Sequence, residues 1–226
     1  MDNTRGFDMD LLMRWFQFSA FCGIFRVHGY RAPEMDTGVC SSDTSYASGL
    51  GLSPTSAHNE VYTFTAADHV FNYSASIIKV VKLRESMRSY VAKLFAAYAN
   101  SGEPIMRSMF YDFPMDPNCT TDAISDQYMF GPSVLVAPIY TNCSANFSCT
   151  ERNVYLPALP KGEVWMHVFT NATVSGSQTG QHISVSGERD TFPLFTRGVV
   201  PGVIFRGEHS PLPEFHARLQ PVTQVQ

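Results

Sequence analysis

Arg14-Trp15-Phe16-Gln17-Phe18-Ser19-Ala20-Phe21-Cys22-Gly23-Ile24-Phe25-Arg26-Val27-His28 is the stretch on which the fold turns. Leu11, Leu12, Trp15, Phe18 and Phe21 recur at helical spacing, which predicts an amphipathic helix ending near Phe21. Gly23 interrupts it. The apolar pair Ile24-Phe25 then leads to polar-tipped Arg26, His28 and Arg31, as a buried strand does when it ends at the rim of an α/β-barrel site.

Working outward, residues 1–7 read as a loop, and Asp8 or Asp10 is positioned to cap the first helix. Residues 29–71 are rich in Gly, Ser, Thr, Ala and Pro. So long a stretch reads either as a rim over a binding site or as a surface insertion. A long helix is predicted over Ser76–Asn100, with Ile77, Val80, Val81, Met87, Tyr90, Val91, Leu94 and Tyr98 on one stripe. Lys79, Lys82, Arg84, Glu85 and Lys93 fall off it and are expected in solvent. Gly102 supplies a left-handed stop. Ile105–Tyr111 reads as a buried parallel strand. Strand, helix and strand in this order form the unit from which α/β barrels are built.

At Phe113-Pro114-Met115-Asp116-Pro117-Asn118 the character changes. Short β-rich segments follow at Ser133–Pro138, Asn153–Leu156, Val164–Phe169, His182–Val185 and Phe192–Val200, separated by turn residues and without a further helix. They predict an antiparallel β-sandwich. The division expected is thus 1–115, α/β, and 116–226, all-β.

The 226 residues carry a net charge of −4, 44% apolar and 13% aromatic residues. This describes a folded chain with no basic stripe, which argues against nucleic-acid binding. No apolar run reaches the roughly 18–20 residues of a membrane span, and the polar start does not read as a signal peptide. Asn-X-Ser/Thr triplets at Asn72, Asn118, Asn142, Asn146 and Asn171 are N-glycosylation candidates. Cys143 and Cys149 flank a polar loop and form a disulfide candidate, whereas Cys22 reads as a buried free thiol. These cues predict a secretory-pathway location, lysosomal or extracellular, with any signal peptide outside this sequence.

Several stretches, in order, resemble glycoside hydrolase family 31, which includes α-glucosidases and α-xylosidases. Arg14-Trp15-Phe16-Gln17 and Phe25-Arg26-Val27-His28-Gly29 come first. Asn59-Glu60-Val61-Tyr62, Pro104-Ile105-Met106-Arg107 with Phe113-Pro114 and Asp116-Pro117, then Asp126 to Pro132 with Leu135-Val136-Ala137-Pro138 follow. Val154-Tyr155-Leu156-Pro157 and Pro193 to Gly198 complete the set. The resemblance spans about residues 8–201. It implies that residues 1–115 are the C-terminal portion of a (β/α)8 TIM barrel, holding its last two strands, and that 116–226 are the sandwich behind it. A whole barrel takes about 250 residues, so this one is expected to be incomplete.

Retaining glycosidases use two carboxylates about 5 Å apart. The resemblance implies that both are aspartates on earlier strands, and no motif around Asp2, Asp8 or Asp10 matches theirs; no catalytic residue is assigned. From residues alone His28 is either a structural histidine or a sugar ligand. The resemblance implies the latter, with imidazole donating to and accepting from hydroxyls. Arg26, two residues earlier on the strand, can clamp those carboxylates or serve structurally. Trp15 and Phe18 read as packing residues, Asp116 as a turn residue, and Asp126 as an interdomain anchor. His58, His69, His167 and His182 lack metal-ligand spacing, and no phosphate-cradling glycine loop occurs, so no cofactor is called for. The function expected is a fragment of a retaining α-glycosidase, inactive by itself, with an α-glucoside or α-xyloside as its carbohydrate partner. The alternative is a non-catalytic carbohydrate-binding or chaperone-partner derivative. The sequence leaves the sugar, the linkage and the oligomeric state open.

Overall fold

The structure, a computed structural model, describes residues 9–27, 30–31, 57–58, 73–140, 149–175, 179–198 and 201–205. Its helices are α1 (Met9–Ser19), α2 (Tyr73–Ser86), α3 (Arg88–Ser101), α4 (Met109–Asp112) and α5 (Pro201–Ile204). Its strands are β1 (Tyr30–Arg31), β2 (Ala57–His58), β3 (Met106–Ser108), β4 (Tyr128–Phe130), β5 (Val134–Val136), β6 (Cys149–Leu156), β7 (Val164–His167), β8 (Thr173–Ser175), β9 (Gln181–Gly187) and β10 (Leu194–Arg197). Strands β3-β4-β5-β10-β7-β8 make one sheet, β6-β9 a second and β1-β2 a third. Every pairing is antiparallel.

Alternation along the strands sends side chains to two cores. Met129, Leu135, Trp165 and Phe195 of the large sheet meet Val154, Leu156, Ile183 and Val185 of β6-β9. Trp165 is wholly buried there, and its indole N–H donates to the Pro157 carbonyl at 2.9 Å. The opposite face presents Phe130, Val134, Val136 and Leu194 to Met13, Phe16, Ile77, Val80 and Leu83 of α1 and α2. Helices, large sheet and small sheet therefore stack as layers.

Four expectations are corrected. The long helix is two: at Met87 (φ −91°, ψ 6°) the N–H reaches back only to the Arg84 carbonyl, tightening the turn. The bend keeps Met87 buried but turns α3 outward, so Tyr98 of the expected stripe faces solvent, as does Phe95 outside it, and Leu94 is the buried residue of α3. Second, Ile105–Tyr111 is not a buried parallel strand; β3 is three residues long, pairs antiparallel with β4 and passes directly into α4. β3 also lies before the expected 115/116 boundary, yet in one sheet with strands after it. Third, Ile24–Val27 form no strand, and Ile24 is 77% exposed. Fourth, one helical turn, α5, does follow the β segments.

Gly102 ends α3 as expected, at φ 73° with its N–H on the Tyr98 carbonyl. Gly131, at φ 60° between β4 and β5, is required sterically as well. A Cβ there would lie 2.4 Å from Leu94 Cδ2 and 2.5 Å from the Tyr90 hydroxyl, which itself donates to the Phe130 carbonyl.

Candidate functional site

The buried face of α1 is not the one its pattern announces. Leu11 and Trp15 are 55% and 58% exposed, while Arg14 and Gln17 are buried beside Met13, Phe16 and Ala20. Their partner is the chain after β9. Arg14 donates to the Gly187 carbonyl at 2.9 Å and the Glu188 carbonyl at 3.4 Å; Gln17 donates to the Arg189 carbonyl at 2.8 Å. Asp10 lies 3.7 Å from Arg14, and its charge partly offsets the burial that lowers the guanidinium pKa. Next along, Asp190 accepts from Ser76 and Lys79 of α2. Burial opposes ionisation of Asp190, but those bonds hold its carboxyl below the usual range. Lys79 is thus engaged rather than solvated.

In the turn after α1 four successive carbonyls accept from side chains of other elements. Arg84 of α2 donates to Ala20 (2.8 Å), Cys22 (2.9 Å) and Gly23 (3.1 Å), with its guanidinium 5.6 Å from the Phe130 ring centroid. The Tyr128 hydroxyl of β4 donates to Phe21 at 3.2 Å. Burial pushes that phenol's pKa far up, so it remains a neutral donor. Arg84 therefore does not face solvent as expected. The site was missed because its position off the apolar stripe resembled that of the solvated lysines. Its one available signal was an arginine a turn before the α2–α3 break.

Beyond that turn Phe25 packs edge-on against Phe16 (6.0 Å), and Arg26 is exposed. His28 lies outside the described residues, as do Asn72, Asn142, Asn146, Cys143 and the Cys149 side chain. Cys22 is a free thiol, half-buried. Asn118 is exposed, and its amide donates to the Tyr155 hydroxyl at 2.9 Å. Asn171 is exposed between β7 and β8 at φ 57°.

A groove of about 1000 Å³ opens between α1 and the segments around β3 and β4, with Trp15, Phe18, Phe110 and Tyr140 among its rings and Asp122 and Asp126 among its polar groups. Asp126 joins segments within the β-rich half: it bonds Tyr140 at 2.9 Å and Arg152 at 2.9 Å. Burial works against its charge, but these donors keep the carboxyl below its usual pKa, the wrong direction for a general acid. Asp112 is raised by burial, with Arg107 pulling the other way; Arg107 also pairs with Glu103. Both carboxylates are thus committed to one guanidinium. Asp116 accepts from the Asn118 N–H, the turn role expected, and from Tyr155. Among the described residues no group of three or more His, Cys, Asp or Glu is placed to hold a metal ion.

The architecture is an antiparallel layered module entered from a helical segment. Residues 102–200 match the glycosyl hydrolase family 31 C-terminal domain, and the chain belongs to that family. An α-xylosidase of Saccharolobus solfataricus is 30% identical over 188 residues, which make up 83% of this chain and 20% of that protein. Alpha-glucosidase 2 of Bacillus thermoamyloliquefaciens is 30% identical over 198 residues, covering 86% and 19%. Among solved structures, a family 31 α-xylosidase from a soil metagenome, complexed with xylose, superposes with a TM-score of 0.65 at 30% identity. The match covers 87% of this chain and 26% of that one. The chain spans about a fifth of the length of the curated relatives it matches.

Proposed function

We propose that this chain is the C-terminal part of a retaining α-glycosidase acting on terminal α-glucosyl or α-xylosyl residues. The observation that carries the reading is identity of 30% to an α-xylosidase and an α-glucosidase over more than four-fifths of the chain. In this reading residues 1–115 contribute the last strands of a (β/α)8 barrel, and both catalytic carboxylates come from residues outside these 226. Of the described aspartates, Asp112 pairs with Arg107 and Asp126 with Arg152, and neither is assigned to that pair. His28 hydrogen-bonds hydroxyls of the sugar being cleaved, and Arg26 orients the carboxylates. The reading frame extended upstream of Met1 is expected to hydrolyse p-nitrophenyl α-D-xyloside or α-D-glucoside with retention, seen by NMR of the first-formed anomer. His28→Ala in that polypeptide is expected to raise KM by about tenfold or more, the loss of one or two sugar hydrogen bonds. No hydrolysis of either substrate would overturn the reading.

We place the protein in the secretory pathway, with Asn171 as an N-glycan acceptor. Asn171 is exposed at a hairpin tip and its side chain makes no hydrogen bond among the described residues. Expressed behind a secretion leader in a glycosylating host, the protein is expected to lose one glycan by mass spectrometry on Asn171→Gln. An unchanged glycan count in that variant would exclude the site.

A further inference from the structure

We infer that Arg84, with Tyr128, is the positioning residue of the sugar-facing segment. This rests on the reading above, in which Arg26 and His28 face the substrate. The geometry is that of a clamp on the turn that follows α1. The last carbonyls of the helix itself are met by the N–H groups that come after it, Phe16 by Ala20 at 3.0 Å, Phe18 by Phe21 at 3.0 Å and Ser19 by Cys22 at 3.1 Å. Here the carbonyls of Ala20, Cys22 and Gly23 accept from one guanidinium and that of Phe21 from one phenol. A planar fork with five fixed N–H vectors can hold three carbonyls at once, which an ammonium cannot do with the same geometry.

Both donors are anchored away from the segment they hold. Arg84 stands on α2, whose Ile77, Val80 and Leu83 are buried against the sheet, and its guanidinium lies by Phe130 of β4. Tyr128 stands two residues from Phe130 on the same strand, edge-on to Phe18 of α1 at 6.0 Å. The turn 20–23 is therefore tied to the helical layer and to the sheet together. Ile24 to Val27 gain no such support from strand pairing, because they form no strand. The direction in which the chain leaves Gly23, and hence where Arg26 is delivered, is set at these four carbonyls. A shift of about 1 Å in a substrate-contacting group is enough to cost two orders of magnitude in rate.

Hydrogen–deuterium exchange on the 226-residue chain tests the clamp directly. Arg84→Met is expected to speed exchange of the hydrogen-bonded amides of residues 20–22 by about tenfold or more, the loss of charge-assisted bonds to the same turn. Amides of Ile183 and Val185, in the remote sheet, are expected to keep their rates. Arg84→Lys is expected to restore the protection in part and Tyr128→Phe to give a smaller increase; both serve if Arg84→Met does not fold. In the longer, active polypeptide Arg84→Lys is expected to raise KM more than it lowers kcat. Unchanged exchange at 20–22 in Arg84→Lys and Arg84→Met, or an equal rise at Ile183 and Val185, would overturn the inference. Increased exchange at 20–22 with KM unaffected by His28→Ala would leave the clamp standing and overturn the sugar-binding reading instead.

Discussion

Arg14→Met is expected to lower the unfolding free energy by about 3–5 kcal/mol, the cost of removing one member of a buried, hydrogen-bonded charge pair. The methionine fills most of the space but donates nothing. It leaves the Asp10 carboxylate without its cation, and it leaves the Gly187 and Glu188 carbonyls short of a donor. With a chain of this size the melting temperature is expected to fall by roughly 10 °C. Gln17→Leu removes the neighbouring bond to Arg189 and is expected to cost about 1 kcal/mol. Arg88→Ala provides the contrast. Its ion pair with Glu85 lies in solvent, the two side chains being 77% and 54% exposed, and its loss is expected to change almost nothing. Urea denaturation of the three variants checks the order; equal effects for Arg14→Met and Arg88→Ala would refute the buried-latch account.

Acid is expected to destabilise the protein through His167 by up to about 3 kcal/mol. The imidazole is buried between Phe169 and Phe195, at ring distances of 5.8 and 5.0 Å, and that burial pushes its pKa down to about 4. In the unfolded chain the group titrates near the ordinary value of 6.5. The unfolded state therefore takes up its proton first as pH falls. The stability tied to neutral His167 is complete above about 6.5, is lost between there and about 4, and stays lost below. Melts of the protein and of His167→Gln across pH 7 to 4 measure the difference. Parallel loss of stability in both would rule out His167 as the source.

Much of the β-rich half was legible in the sequence. Ile183-Ser184-Val185 alternates as a half-buried strand does, Val154-Tyr155-Leu156 is a short apolar run buried throughout, and β9 and β6 are where these put them. The helix α1 was legible as a helix, but its buried face was not. Arg14 and Gln17 sit where a hydrophobicity pattern expects solvent, and only the carbonyls of residues 187–189, some 170 positions away, reverse that. Arg84 was misread for the same reason, because a side chain buried to serve distant carbonyls carries no local periodic signal. The break at Met87 escaped notice because Met87 itself satisfies the apolar pattern; what changes there is a backbone bond to Arg84. Ile24–Val27 have the composition of a strand without a strand's partner in the described structure. The family, by contrast, was carried by short ordered motifs whose recognition does not depend on which face they bury, and the match over residues 102–200 agrees with them.

The pairing of β3 with β4 bears on how such a chain can be divided and recombined. The turn at Phe113–Asn118 is rich in proline and invites a cut, but β3 lies before it and β4 after it in one sheet. Ile105 also accepts from Gly131 across the same turn at 2.7 Å. A recombination point placed in the turn would separate two strands that share their hydrogen bonds and leave β4 with a raw margin. A segment exchanged between relatives with its large sheet intact therefore begins upstream of β3, near Gly102, where α3 ends and before the first strand of that sheet.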